Sequence, residues 1–394
     1  MAGPLAGLKI LDFTTLLPGP FATMSLADLG ADVLRIISSS RPDPVTFTLP
    51  LMSGTGISFT VPYLQRGKRS MTLNLKDPRA VEIVHQLIRD DGYDILVEQF
   101  RPGVMAKLGL GYETLEAVNP SLIYCSITGY GQNGPLSMRA GHDINYLSRA
   151  GLMSYSGRKE GGPSLMGMQI ADVASGSHNA IMGILSAVIS RDRTGIGQHV
   201  DISMTDGVIA FNIFPSGPSL LENEDPEREG TRLNGGSLYD FYETKEGGYI
   251  SFGGLEQKFF SAFCEAIGLL ELIPGGVGPK DLAEAKRKIR EVMKTKTRDE
   301  WAEIFEKTDA CAEPVLSLSE VLNDPHTKAR EMVVEVELPW GGKMRQLANP
   351  IKFSKTRQEY RAGVLPGTHT REVLLQLGYT DEEIDAFEEQ DLLK

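Results

Sequence analysis

The sequence predicts an α/β fold: an open, parallel, Rossmann-like sheet in a large domain, plus a smaller α+β domain. Three observations predict it. Through the first half of the chain short apolar runs alternate with segments of helical spacing, a pattern that gives parallel strands joined by right-handed crossovers. Near residue 214 a polar stretch rich in Gly, Pro and Glu, PSGPSLLENEDPEREGTRLNGG, interrupts that alternation and reads as a linker. Beyond it, LYDFYETKEGGYISFGG carries a β-hairpin signal, with an EGG turn between alternating apolar and polar residues.

The elements follow in order. Leu8–Phe13 is a short apolar run, TTLLPGP a turn, FATMSLADLG a helix ending at Gly30, and ADVLRII a second strand. The unit repeats with a helix over Asp77–Asp91, a strand in YDILVEQF, helix in PGVMAKLGLGYETLEAV and a strand in LIYCSITGYG. The intervening loop, Ser38–Tyr63, has no period, and loops that long are usually functional or mobile. A helix from Asp172 to about Arg191 ends at Gly195–Gly197 before the strand QHVDISM. Helices are expected over Glu256–Leu270, Lys280–Lys294 and Thr297–Lys307, then short strands in MVVEVELPW and KMRQL and an acidic helix, EEIDAFEEQDLL. The expected domains are 1–214 (large, α/β), 215–324 (small, α+β) and 325–394, a C-terminal segment returning to the large domain.

A chain of 394 residues has room for two or three such domains. With 41% hydrophobic and 23% charged residues it has ordinary globular composition, against a disordered, fibrous or membrane protein. Its net charge of -12 argues against nucleic acid as a partner, because phosphate binding on that scale needs a basic surface. Cys125, Cys264 and Cys311 form no CxxC pair, which indicates neither a disulfide framework nor a zinc site. The six histidines show no HxxxH or HExxH spacing, so no metal is expected. MAGPLAGLKILDFT lacks the features of a secretory signal, no run approaches 18 apolar residues, and DLLK is no retention address. A cytoplasmic protein without a membrane segment is the expectation.

Several sites carry two readings each. The turn LLPGPFATM is either a helix N-terminus presenting N–H groups to a phosphate or a tight strand-to-helix connection, since its prolines supply no donors. Arg66, Lys68, Arg69 and Lys76 cluster in QRGKRSMTLNLKDP and read either as a phosphate-binding patch or as a solvated face. In AGHDINYL, His142 beside Asp143 offers a general base, although a lone histidine is commonly structural. Asp172 stands where a helix N-cap is expected, and a carboxylate there can also serve as base or nucleophile. Glu256 opens a helix, where glutamates complement the helix dipole.

Taken together, LPGPFATMSLADLGADVLRI, RGKRSMTLNLKDP, EQFRPGVMAKLGLGYETL, NPSLIYCSITGYGQNGP, AGHDINYL, GIGQHVDISMTDG and TDACAEPVL resemble the class III CoA-transferase family over nearly the whole chain. AGHDINYL, ADVASG and GGLE look most like its α-methylacyl-CoA racemase branch. The resemblance implies an acyl-CoA substrate, with no cofactor beyond its CoA moiety. It implies His142 and Asp172 as the two acid/base groups that invert an α-carbon, with Glu256 supporting the histidine. The alternative is a CoA-transferase in which Asp172 forms an aspartyl-CoA thioester.

The CoA contacts implied are Leu73, Asn74, Leu75 and Lys76, then Glu98, Gln99 and Phe100, Lys107, and the loop of Gly141, His142, Asp143, Ile144, Asn145 and Tyr146. Racemases carry an arginine where this chain has Ser38, and the loop from there to Arg66 is longer than theirs. The family fold implies an interlocked homodimer with its site shared between subunits. Met153, Met166 and Met168 are candidates for an adaptable acyl pocket or for ordinary core.

Overall fold

A computed structural model describes residues 3–38, 40 and 42–394; residues 39 and 41 of the long loop, like residues 1 and 2, lie outside the described residues. Two compact units emerge, one formed by Met1–Arg149, Gly167–Ala210 and Lys328–Lys394, the other by Ala150–Met166 and Phe211–Thr327.

The first unit is built on strands β1 (Lys9–Asp12), β2 (Asp32–Ile37), β3 (Lys68–Thr72), β4 (Ile95–Glu98), β5 (Ile123–Thr128) and β6 (Gln198–Ser203). They form one sheet in the order β3-β2-β1-β4-β5-β6, and every pairing is parallel. Its crossover helices include α1 (Pro18–Asp28), α2 (Pro78–Arg89), α3 (Asp143–Arg149) and α4 (His178–Thr194). The order reverses between β1 and β4, so loops leaving the strands' carboxyl ends diverge there and open a crevice where open α/β sheets bind ligands.

Local chemistry explains the helices. Pro18 begins α1 at a position where its missing N–H costs nothing. Asp77 caps α2 by accepting the Arg79 N–H at 2.9 Å, and Ala80, Ile83, Val84 and Leu87 form its buried stripe. That stripe packs on Leu11, Leu34, Met71 and Leu96 of the sheet. The expected helix from Asp172 is a π-helical turn, Ala171–Ser177, that runs into α4. By length and composition Ala171–Thr194 is also apolar enough to cross a membrane, with 33% of its most apolar window buried in the chain. No unbroken apolar run announces it, because Ser, His, Asn and Gly are interleaved.

β3 lies inside the cationic cluster and corrects both readings of it. A strand buried on both faces must neutralise its charges, and three of the four do so. Lys68 Nζ meets Asp12 Oδ2 at 3.1 Å and donates to the Pro20 carbonyl and Gln65 Oε1. Arg66, 1% exposed, grips Asp28 through Nε and Nη2 at 2.8 and 2.6 Å and donates to the Leu347 carbonyl. Arg69 bridges Asp32, the Tyr93 hydroxyl and Glu372. These three are structural cations, already matched by protein partners, whereas Lys76 lines a cavity.

The second unit contains β7 (Asp240–Glu243), β8 (Tyr249–Phe252) and β9 (Ala312–Pro314), an antiparallel sheet opened by the expected hairpin. Helices α5 (Gln257–Ile267), α6 (Leu282–Met293) and α7 (Arg298–Phe305) cover it. Phe252, Phe260, Phe263 and Trp301 fill the core between them. Residues 150–166, expected in the large domain, belong here instead. The Tyr155 hydroxyl bonds Asn212 Oδ1, Arg158 binds Glu229 and Asp240 at 2.8 and 2.6 Å, and Arg228 donates to the Ser156 carbonyl. Sequence proximity to the large domain could not reveal these charge pairs.

The chain then returns to the first unit through the hairpin β10 (Val333–Glu337) and β11 (Lys343–Leu347) and the acidic helix α8 (Asp381–Glu389), capped by Thr380 with Glu383 in a reciprocal box.

Asp12 is the most enclosed charge of the sheet. Burial by itself would raise its pKa, but the Lys68 ammonium and the Thr14 and Thr23 hydroxyls outweigh that and hold it below the ordinary aspartate range. Asp12→Ala leaves Lys68 buried without its counter-charge, so chemical denaturation is expected to show a loss of about 3–5 kcal/mol. Arg287→Ala, which removes exposed pairs with Glu284 and Glu291, leaves the midpoint within measurement scatter.

Candidate active site

The carboxyl ends of β1 to β4 surround a cavity of about 210 Å³. Asn74, Leu75, Lys76 and Phe100 of the expected CoA contacts line it, joined by Phe13, Thr15, Val104 and Leu108. The turn bearing Lys76 is fixed from both sides. Asn74 Oδ1 accepts the Lys76 N–H at 3.3 Å, and the Asn74 N–H donates to the Leu392 carbonyl at 2.8 Å.

Of the expected contacts before Gly141, four sit elsewhere, and the Gly141–Tyr146 loop lies outside this lining too. Leu73 is fully buried in the core. The Gln99 side-chain oxygen accepts the Gly19 N–H at 2.9 Å, tying β4 to the start of α1. Lys107 is exposed and outside the cavity lining, although its neighbours Val104 and Leu108 belong to it. Glu98 is 4% exposed and accepts the Phe100 N–H at 2.7 Å; burial pushes its carboxyl up to about 7, although bonds from Ser126 and Phe100 pull the other way. Ser126 in turn pairs with His199 Nε2 at 2.9 Å. Glu98 therefore shapes the wall bearing Phe100, a role no local motif announced.

The turn LLPGPFATM is the tight connection. Besides the Gln99 contact, the Leu16 N–H donates to Asp43 Oδ1 at 3.0 Å, and Asp43 is itself held by Arg35 Nη2 at 2.6 Å. A Cβ on Gly19 would stand 2.3 Å from Thr14 Cβ, so only glycine fits. The same Asp43 pins the start of the long loop back onto the sheet.

His142, Asp143 and Asp172 are brought together in the first unit, and the architecture beneath them accounts for it. His142 is the residue before α3; its N–H donates to Asn145 Oδ1 at 3.0 Å, while its carbonyl accepts the Asn145 N–H at 2.8 Å. Its ring is exposed. Under it lies Tyr146, 6% exposed, whose hydroxyl donates to the Gly141 carbonyl at 2.5 Å and whose ring meets Tyr130 edge-on. A Cβ on Gly129 would come within 2.4 Å of that ring, so the close fit demands glycine there.

Asp172 lies in the first turn of the π-helical segment, an arrangement often found at functional sites. Ser177 holds that turn, its hydroxyl within bonding distance of the Asp172 carbonyl at 3.1 Å and the Pro18 carbonyl at 2.6 Å. Burial pushes the Asp172 carboxyl up to about 6; the Asp143 charge adds to this and His142 opposes it. A half-buried carboxyl beside an exposed imidazole is a pair able to exchange protons with a bound molecule near neutral pH.

Glu256 lies in the second unit, where its carbonyl accepts the N–H groups of Phe259 and Phe260 at the start of α5. Its side chain makes no capping bond, so the carboxylate is not consumed by the helix. It borders a cavity of about 1010 Å³ with Tyr155, Arg232 and Leu255. Of the three methionines, Met153 is core of this unit, Met166 lines a separate cavity of about 710 Å³, and Met168 is exposed in the first unit.

A model of CoA-transferase family III matches residues 5–370. The chain is 35% identical over 387 residues to alpha-methylacyl-CoA racemase of Homo sapiens, covering 96% of this chain and 95% of that protein. It is 32% identical to succinyl-CoA:glutarate CoA-transferase of Homo sapiens, over 97% of this chain and 88% of that one. Among solved structures, a CaiB/BaiF family protein from Brucella suis matches with a TM-score of 0.83 and 29% identity, over 96% of this chain and 100% of that chain.

A carboxyl raised by burial destabilises the fold once ionised. Because the folded pKa, about 6, lies above the unfolded value, stability falls as pH rises between the two, and the cost is fully present above both. Asp172→Asn removes that charge. Solvent access to the half-buried group holds the expected gain to about 1–2 kcal/mol. Thermal melts should show the variant more stable than the parent at pH 8, with a smaller margin at pH 5; equal melting temperatures at both would contradict the burial of this charge.

Proposed function

The chain belongs to CoA-transferase family III, and from that membership and the pairing of His142 with Asp172 we propose that it is a 2-methylacyl-CoA racemase or epimerase. The observation that carries the reading is the meeting of an imidazole with a carboxyl held near neutrality, at the start of α3 and in the turn leading into α4. A thioester carbonyl acidifies the neighbouring C–H, and the carbanion formed is an enolate with its charge on oxygen. Inversion requires one proton-transfer group on each face of that planar species.

In the proposed cycle neutral His142 takes the α-proton from one epimer, and the C–H electron pair moves into the enolate. Asp172, protonated, delivers its own proton to the opposite face, leaving an imidazolium and a carboxylate; the reverse reaction exchanges the roles. A carboxyl raised to about 6 keeps more of its protonated form at neutral pH than an ordinary aspartate, which favours this exchange. CoA is proposed to lie at the sheet's carboxyl ends beside Lys76 and Phe100. No metal takes part in this proposal.

Within the same reading the protein works in the cytoplasm as a homodimer, with Glu256 supporting His142 across subunits. Ile213, Phe214, Leu220 and Leu221, 75–85% exposed in the single chain, are the kind of apolar surface that a second copy covers.

A second reading has specific support, since relatives of comparable identity are CoA-transferases. There Asp172 attacks the thioester, CoA leaves and returns to the aspartyl carbonyl, and the acid is released, leaving an aspartyl-CoA thioester for a carboxylate acceptor.

The two readings separate in deuterated water. A racemase incubated with a 2-methylacyl-CoA and no second acid should incorporate deuterium at the α-carbon, and His142→Ala should lose this by about 10²-fold or more. Full exchange by His142→Ala would remove the proposed base. Absence of exchange by the parent, together with an acyl-CoA-dependent mass adduct on Asp172, would establish the transferase.

A further inference from the structure

We infer that Asp143 is the positioning residue of this site: its carboxylate, carried on the first turn of α3, holds the backbone of Asp172 in place and is not a contact for CoA. The inference rests on the proposed proton-transfer role of Asp172 and deepens it. The N–H groups in the first turn of a helix have no partner within that helix. Here two of them, those of Ala171 and Asp172, donate to Asp143 Oδ1 at 2.6 and 3.3 Å, and the next, that of Val173, donates to the Gln169 carbonyl at 3.0 Å. A carboxylate from α3 thus does for this π-helical turn what an N-cap side chain does for an ordinary helix, and Ile170, which precedes the turn, supplies no side-chain cap.

Asp143 is well fixed for that task. The reciprocal bonds between His142 and Asn145 close the turn before α3, and the Tyr146 hydroxyl bound to the Gly141 carbonyl anchors it from below. The same short stretch therefore presents His142 outward and Asp143 inward onto Asp172, which fixes the two proposed acid/base groups relative to one another. Residues 28 and 29 positions further on are held by direct bonds.

The placement has an electrostatic consequence. The charge of Asp143 reinforces burial in keeping Asp172 protonated, while His142 opposes it. Other titratable groups on the elements packed against this turn are engaged elsewhere. Asp28 of α1 is paired with Arg66, His199 of β6 with Ser126, and Asp201 of β6 with the Gln132 N–H, while His178 at the start of α4 lies edge-on to Phe21.

Two variants divide position from charge. Asp143→Asn keeps an oxygen acceptor for both N–H groups and removes the charge; Asp143→Ala removes both. Carbon-13 NMR titration of aspartate-labelled protein, with the Asp172 signal identified by its loss in Asp172→Asn, should show Asp172 titrating at least about half a pH unit lower in Asp143→Asn than in the parent. In α-hydrogen exchange from the epimer that Asp172 deprotonates, the acid limb of kcat should move the same way in Asp143→Asn. Asp143→Ala should lose about 10²-fold in kcat, with KM for acyl-CoA changed less than about threefold.

An unchanged Asp172 titration in Asp143→Asn would overturn the inference, as would a rise in KM at constant kcat in either variant, the signature of a lost CoA contact. If Asp143→Ala fails to fold, the titration of Asp143→Asn decides alone. Since that titration needs no turnover, a parent enzyme without exchange sinks the racemase reading and leaves the placement of Asp172 by Asp143 still under test.

Discussion

The contact between Lys68 and Asp12 fixes the sheet from which everything else projects. Asp12 ends β1, the strand beside which the strand order reverses, and its two oxygens are shared among Lys68 of β3 and the hydroxyls of Thr14 and Thr23. One buried carboxylate thus joins the end of a central strand, the turn after it, the first helix and the edge strand. Two further enclosed pairs, Arg66 with Asp28 and Arg35 with Asp43, extend the same arrangement to the return hairpin and to the long loop. Buried charges of this kind contribute little net stability against an apolar substitute, but each is costly to leave unmatched. They specify how strands, turns and loops meet at the carboxyl ends.

The candidate catalytic groups sit on what that frame leaves free. His142 and Asp143 enter from the loop after β5, and Asp172 enters from the turn leading into α4. Neither segment is a rigid strand, yet both are tightly tied: Tyr146 beneath Gly141, Ser177 against the Pro18 carbonyl, and Asp143 across to Ala171 and Asp172. A site that depends on two proton-transfer groups facing one carbon needs such fixation, since displacement of about 1 Å costs about 10²-fold. Membership of CoA-transferase family III supplies the substrate class; the proton affinity of Asp172 supplies the reason for reading racemisation ahead of transfer.

Much of the fold was legible from spacing. The β-turn-α-β units, the hairpin after the linker and the three helices of the second unit follow from apolar periodicity and from turn residues, which act locally. Where reading failed, the deciding interaction was remote in sequence. RGKRSMT looks like a charged surface because strand pattern carries no record of the carboxylates waiting in Asp12, Asp28 and Asp32. Residues 150–166 look like part of the large domain because nothing local shows Arg158 bound to Asp240, 82 positions away. Glu98 reads as a ligand contact, and nothing local shows that its carboxylate is buried and bonded to the Phe100 N–H. For His142 and Asp172, motif resemblance identified the pair; composition and periodicity alone favoured a structural role for His142 and left Asp172 evenly open.

By itself the sequence determined the class of fold and the positions of most strands and helices, because these depend on side-chain type and short-range pattern; it pointed to His142 and Asp172 only through the family resemblance. Only the tertiary structure decided which charges are buried and matched, that Asp143 bonds the turn of Asp172, and that burial pushes the Asp172 carboxyl up to about 6. The physical reason is the same in each case. Desolvation and charge–charge coupling depend on distance through space and on what excludes water, and neither quantity is written in the order of residues along the chain.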